Sequence, residues 1–275
     1  MITNQLKDKL IEEIETLLTN EDYYLDIGTG LISPTVTDSD LQVPARINRV
    51  TTQEKDLYTD TNKLEIEFWI PSTEANDLFN TGYESGGDSD GGFGGGYEEA
   101  QSFQVNQDSA VTQTQLYLKG DGNDITVEIQ TDADGSPSGT IVTDGSATIT
   151  GFNNSSYSWK TAEFTEKPGI NSNTTYWLVL KSDASTDNAY SVQYDSTGEY
   201  AEGNRSHYNG TTWTDEPNHD LHFQVYINRF TENGVFNASS NGDLYTRNTH
   251  TQQVKNSDIE YIITYEFEYG VDINE

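Results

Sequence analysis

Val111-Thr-Gln-Thr-Gln-Leu-Tyr-Leu-Lys119, Gly120-Asp-Gly-Asn-Asp124 and Ile125-Thr-Val-Glu-Ile-Gln-Thr131 follow one another without a break and read as strand, turn, strand. The two outer runs carry β-branched and aromatic residues with polar ones between them, and the Gly/Asp/Asn run supplies the backbone freedom of a reversal. The same pattern continues in both directions. Further strands are expected at Ala100–Val105, Ala147–Ile149, Ser158–Phe164, Thr175–Lys181, Ala189–Tyr194, Ser206–Tyr208, Thr211–Thr214 and Leu221–Tyr226, with turns at 132–137, Pro168-Gly169 and Asn209-Gly210. Short strands at this spacing predict a β-sandwich over residues 98–227.

The flanks read differently. Leu6, Leu10, Ile11, Ile14, Leu17 and Leu18 recur at helical spacing, with acids on the other face, and predict one N-terminal helix. Strands follow at Tyr23–Ile27, Arg46–Thr52 and Lys63–Ile70, the last alternating as Leu64, Ile66, Phe68 and Ile70. Between Gly82 and Gly96, Glu-Ser-Gly-Gly-Asp-Ser-Asp-Gly-Gly-Phe-Gly-Gly-Gly has few side chains to pack and is expected to be a flexible linker or exposed loop. After Asn228, a hairpin turning at Asn241-Gly242 leads to a long final strand in which Tyr261, Ile263, Tyr265, Phe267 and Tyr269 share one face. Neither flank alone has enough apolar surface to close a core. The fold class expected is therefore mainly β: a small α+β base domain made of residues 1–97 and 228–275, with a jelly-roll-like sandwich inserted at 98–227.

The chain's 46 Asp and Glu against 14 Lys and Arg give a formal charge of −32 over 275 residues. So dense a negative field repels phosphate backbones and anionic lipid heads, which argues against nucleic acid or membrane insertion. Its self-repulsion is screened only in strong salt, where the Debye length falls to about 3 Å at 1 M, and this predicts a halophilic setting. There are no cysteines, which excludes disulfides, zinc-thiolate sites and thiol catalysis. No run of about 18 apolar residues and no cleavable leader is read from the sequence, so neither a membrane span nor signal-peptide secretion is expected.

Ala100-Gln-Ser-Phe103, Gln115-Leu-Tyr-Leu118, Ile125–Thr131, Pro137-Ser-Gly-Thr140, Trp159–Phe164 and Tyr176-Trp-Leu-Val-Leu180 resemble the jelly-roll, carbohydrate-binding-like modules of microbial surface proteins and virion appendages. The flanks, through Ile27-Gly-Thr-Gly30, Pro34-Thr, Asp38–Leu41, Arg46, Phe68–Asn76, Gly234-Val-Phe-Asn237 and Gly242-Asp-Leu-Tyr-Thr-Arg247, resemble tail-fibre and baseplate-type proteins of tailed viruses. With the acidic composition, the resemblance implies a structural protein of a virus infecting a halophilic archaeon, on its tail, baseplate or capsid surface.

Tyr208 and Trp213 flank the Asn209-Gly210 hairpin tip and are the expected sugar-stacking pair, whereas Trp159 and Trp177 read as core. Asp132 and Asp134, and separately Asp121, Asn123 and Asp124, resemble fragments of a calcium loop and are the candidates for a structural Ca²⁺ or Mg²⁺; no other cofactor is expected. His219 and His222, three apart on a strand, point to opposite faces and do not form a metal pair. Asn153, Asn154, Asn173, Asn204, Asn209 and Asn237 each begin an Asn-x-Ser/Thr acceptor triplet. No nucleophile elbow, metalloprotease motif or fixed carboxylate pair appears, so no catalytic residue is assigned and a non-enzymatic role is expected. The expected function is assembly into a virus particle with other virion proteins and with copies of the chain itself, displaying the sandwich toward a host glycan or glycoprotein. The alternative is a free or cell-anchored carbohydrate-binding protein of a halophile.

Overall fold

The computed structural model describes residues 16, 22–30, 33–35, 38–42, 44, 49–58, 63–70, 77–254 and 260–268. The chain divides into two compact units, a terminal unit formed by residues 1–76 with 230–275 and a central unit formed by residues 77–229. In chain order the strands are β1 (Tyr24–Gly28), β2 (Val50–Tyr58), β3 (Lys63–Ile70), β4 (Leu78–Tyr83), β5 (Ser89–Phe93), β6 (Glu98–Phe103) and β7 (Ser109–Asp121). Next come β8 (Ile125–Ala133), β9 (Ser136–Ile149), β10 (Asn153–Glu163), β11 (Gly169–Ile170), β12 (Tyr176–Ser182), β13 (Tyr190–Asp195) and β14 (Arg205–Tyr208). The last are β15 (Trp213–Glu216), β16 (Asp220–Leu221), β17 (Phe223–Ile227), β18 (Arg229–Phe236), β19 (Leu244–Val254) and β20 (Tyr261–Glu268).

The described residues of the terminal unit form a six-stranded sheet in the order β19-β18-β1-β2-β3-β20, so strands from the two ends of the chain share one ladder. Leu25 stands opposite Val235, and Ile66 opposite Tyr265. Leu64, Ile66, Phe68 and Ile70 are fully buried, as their alternation requires. Four strand spacings separate β18 from β20, about 19 Å in a flat sheet. The rings of Phe230 and Tyr261 on those strands are nevertheless 5.2 Å apart. The sheet therefore coils over its own apolar face. Gly30 is needed because its N–H donates to Glu232 at 3.0 Å; a Cβ there would lie 2.5 Å from the same carboxylate oxygen. The α+β character expected of this unit is not found among the described residues, where every complete element is a strand. The helix expected over residues 6–18 lies outside them, Thr16 excepted.

The central unit has two sheets. One runs β15-β14-β6-β12-β8-β9; the other runs β16-β13-β7-β17-β4, with β10 and β11 also paired to β7 and β5 to β13. Leu116, Leu118, Phe223 and Val225 from the second sheet meet Phe103, Val127, Ile129, Leu178 and Leu180 from the first in a common core. The first and last long strands of the unit are neighbours, with Leu78 opposite Ile227. This is the arrangement an inserted unit requires.

The unit boundaries fall at 76/77 and 229/230 rather than at 97/98 and 227/228. The glycine-rich run is not a linker: β5 pairs with β13 from Ser89 opposite Tyr194 to Phe93 opposite Tyr190, and Phe93 is wholly buried. Its glycines serve close approach and turning instead. Gly91 leaves room for Glu99, whose carboxyl would lie 2.8 Å from a Cβ, while Gly95, at φ +66°, turns the chain against Asp187.

Candidate functional site

Alternation along β12 sends Tyr176, Leu178 and Leu180 into the main core and Trp177 and Val179 to the opposite side of the sheet. An outer-face tryptophan should be exposed, yet Trp177 is only 1% exposed. The cause is curvature. The two edge strands, β9 and β15, approach within 8 Å at their Cα atoms, although five spacings of a flat sheet would hold them about 24 Å apart. The sheet is thus a trough whose floor is Trp177, Val179 and Ala100, with Trp213 packed onto it.

Trp213 reaches this position through the β14–β15 hairpin. Asn209 accepts the N–H groups of Thr211 and Thr212 at 3.0 and 3.1 Å, and Gly210 takes φ +88°, which closes the turn. The rings of Tyr208 and Trp213 then lie 5.3 Å apart, tilted by 44°. A polar line crosses the trough: Trp177 Nε1 donates to Asp132 at 2.7 Å, Gln130 donates to Glu128 at 2.6 Å, and Lys181 pairs with Glu128 at 2.8 Å. Glu98 faces Lys181 at 3.9 Å, and burial raises its pKa against the lowering effect of that ammonium. Tyr208 stands opposite Glu98 in the ladder. Beside it opens a cavity of about 360 Å³ lined by Tyr97, Glu98, Lys181 and Asp183 among others. Aromatic faces beside fixed hydrogen-bonding groups suit a ligand with one apolar and several hydroxyl-bearing surfaces.

Behind the trough, the inward side chains of the same strands form a buried ionic cluster. Arg205 makes a bidentate pair with Glu99 at 2.6 and 2.7 Å, pairs also with Glu216, and lies 4.1 Å from the Tyr194 ring. His219 stacks on the same ring and meets Glu216 at 2.8 Å. Gln101 donates to Asp220 at 3.0 Å and accepts the Leu221 N–H at 2.7 Å. Burial pushes the pKa of Glu99 up to about 7, outweighing the opposing hydrogen bonds and charge of Arg205. The cluster fixes the register of β6, β14 and β15, and hence the height of Tyr208 and Trp213.

Of the residues singled out in the sequence, Tyr208 and Trp213 are brought together. Trp177 is buried, but in the trough rather than in the main core. Trp159 is not a core residue: it is partly exposed on the outer face of the second sheet, opposite Tyr117, because Ala162 fixes the inward parity of β10. The acids proposed for metal serve turns and strand ends. Asp132 accepts from Trp177 and the Gly135 N–H, Asp134 sits at φ 52° in the turn, Asp121 accepts from Asn153, Asp124 accepts the Gly151 N–H, and Asn123 donates to the Asp183 carbonyl. Among the described residues no group of three or more His, Asp or Glu is placed to hold a metal ion. His219 and His222 have separate partners, the latter at the Ser85 carbonyl. Asn153, Asn173 and Asn209 are exposed, whereas Asn154, Asn204 and Asn237 are half-buried and bond through their amide nitrogens to Ser158, Asp215 and Asp243. The trough floor and the Glu98–Lys181–Glu128 line were missed in the sequence, although the parity of Trp177 against Leu178 carried the signal.

Among known proteins, the chain matches no family model and no curated sequence.

The buried carboxylates carry a pH dependence of defined sign. Glu99 at about 7, and Asp26 of the terminal unit, raised by burial to about 6, hold protons in the folded state that the unfolded chain has released. Their contribution is complete below the unfolded pKa values of 4.5 and 3.8 and is lost as pH rises through 6 and 7. Asp38, held at about 2 chiefly by hydrogen bonds from Thr35, acts oppositely and weakens the fold only in stronger acid. Melting temperatures at constant molar salt should therefore rise from pH 8 to pH 5. A fall over that interval would remove Glu99 and Asp26 as the governing groups.

Proposed function

We propose that the chain is a non-enzymatic recognition protein of a virus particle: the terminal unit assembles with other particle components and with copies of itself, and the central unit, a jelly-roll-like module, binds a surface glycan in its trough. The observation that carries the binding half is the Tyr208–Trp213 ring pair, with Tyr208 in register with Glu98, which lines the cavity together with Lys181. Aromatic rings stack on the C–H faces of sugars, and pre-fixed ion pairs offer hydroxyl partners at low ordering cost. The insertion supports display, because the first and last long strands of the central unit, β4 and β17, lie side by side. The virion setting rests on the resemblance of the flanks and on the acidic composition, which suits hypersaline surroundings.

The test is a glycan array probed in molar salt with the wild-type protein and with Trp213→Ala. Wild-type binding to a subset of glycans, reduced at least tenfold in the variant, is the expected outcome. The reading fails if wild type and variant give the same pattern, or if no glycan is retained. Immunolabelling of purified particles tests the setting: binding without particle association would favour a cell-surface carbohydrate-binding protein instead.

A further inference from the structure

The second sheet of the central unit carries an aromatic surface of its own. Tyr117 lies between the inward Leu116 and Leu118 and so faces outward, directly opposite Trp159. Its ring is 5.1 Å from that of Trp159 and 5.4 Å from that of Tyr157, the latter nearly parallel at 20°. All three are partly exposed. Tyr157 reaches this place through a bulge: Asn154 is opposite Gly120 and Ser158 opposite Leu118, so Ser155, Ser156 and Tyr157 face the single Lys119. Asn154 fixes the bulge by accepting the Ser156 N–H and donating to Ser158 Oγ, each at 3.1 Å. Bulges re-aim side chains, and this one adds a ring to a surface rather than to a core.

Polar groups are fixed around the rings. Tyr157 donates its hydroxyl to Asp90 at 2.5 Å, Lys119 donates to the other oxygen of Asp90 at 2.5 Å, and the Lys119 ammonium lies 4.5 Å from the Tyr157 ring centre. Next to them is a cavity of about 310 Å³ lined by Lys119, Asp121, Asn153, Asn154 and Ser191 among others. It combines amide, hydroxyl and ammonium donors with carbonyl and carboxylate acceptors. Two carboxylates, Asp90 and Asp121, outnumber the one ammonium, on a chain of formal charge −32. An anionic ligand would be repelled.

We infer that Trp159, supported by Tyr117 and Tyr157, is the stacking ring of a second glycan site, in which an uncharged pyranose lies on the indole while its hydroxyl or acetamido groups enter the cavity at Lys119, Asn153 and Ser191. The site is on the opposite sheet from the trough and does not depend on it. A molecule with both sites engages a branched or dense glycan surface at two points, which multiplies affinity through effective concentration.

The test uses the full chain, unglycosylated, in molar salt, titrated with cellotetraose, chitotetraose and mannotetraose and, as the charged control, tetragalacturonate. Tryptophan emission and calorimetry report binding. At least one neutral tetrasaccharide should bind, Trp159→Ala should weaken it at least tenfold, Tyr157→Ala should weaken it with circular dichroism unchanged, and Trp213→Ala should leave that component in place. The site is overturned if no neutral tetrasaccharide binds, if tetragalacturonate binds equally well, or if Trp159→Ala binds like the wild type. Binding lost in Trp213→Ala but kept in Trp159→Ala overturns this site and leaves the trough reading standing.

Discussion

At pH 8, where Glu99 is ionised, Arg205→Met is expected to destabilise the central unit by about 3–5 kcal/mol, because it leaves the buried Glu99 beside Glu216 with no guanidinium between them. The Arg205 and Glu99 side chains are only 6% and 1% exposed, so water cannot replace the lost partner. For a unit of this size the loss corresponds to a drop on the order of 10 °C in melting temperature. Calorimetry in molar salt should show the transition of the central unit move while that of the terminal unit stays. Adding Glu99→Met should recover much of the loss, since a buried pair replaced by apolar groups of similar volume is often neutral. An unmoved transition in Arg205→Met would show that the cluster does not hold the sheets. The same variant should also weaken the proposed glycan binding in the trough, because β14 and β15 carry Tyr208 and Trp213 on their other face.

Arg247→Met should act on the terminal unit alone and with similar size. Glu232 is fully buried and, among the described residues, accepts from the Gly30 N–H at 3.0 Å, the Gln42 N–H at 3.2 Å and Arg247 Nε at 2.7 Å. Arg247 also binds Asp38 at 2.8 Å. Removing the guanidinium takes an ion-pair partner from a carboxylate buried inside the sheet, again about 3–5 kcal/mol. The expected record is a lowered transition for the terminal unit and an unchanged one for the central unit. If both fall together, the two units do not melt independently.

These two nodes mark what could be read in the sequence and what could not. The strand Lys63–Ile70 was legible because one face is apolar at every second residue, and the Asn209-Gly210 hairpin because its turn chemistry is local. The flank motifs around Gly30, Asp38 and Arg247 were visible as separate patterns, but their meeting at Glu232 was not. That contact joins residues about 200 positions apart and leaves no period in the chain. The glycine run was misread for a related reason. Glycine reports only what is missing, and the groups that fill the space, Glu99, Asp187 and Asn188, are chosen by the fold. Trp159 was within reach, since counting back from Ala162 and Phe164 places it outward; large aromatic size suggested a core and outweighed parity. The curvature that turns one sheet into a trough has no local signature at all.

The pairing of β4 with β17 has a genetic consequence. Residues 77–229 form one continuous stretch of the chain, and both of its ends emerge from neighbouring positions on the same sheet. Such a segment can be cut out, duplicated or traded for another by a single recombination event, without asking the host scaffold to reroute its own strands. What the central unit presents can then change in one step while the terminal sheet is inherited intact.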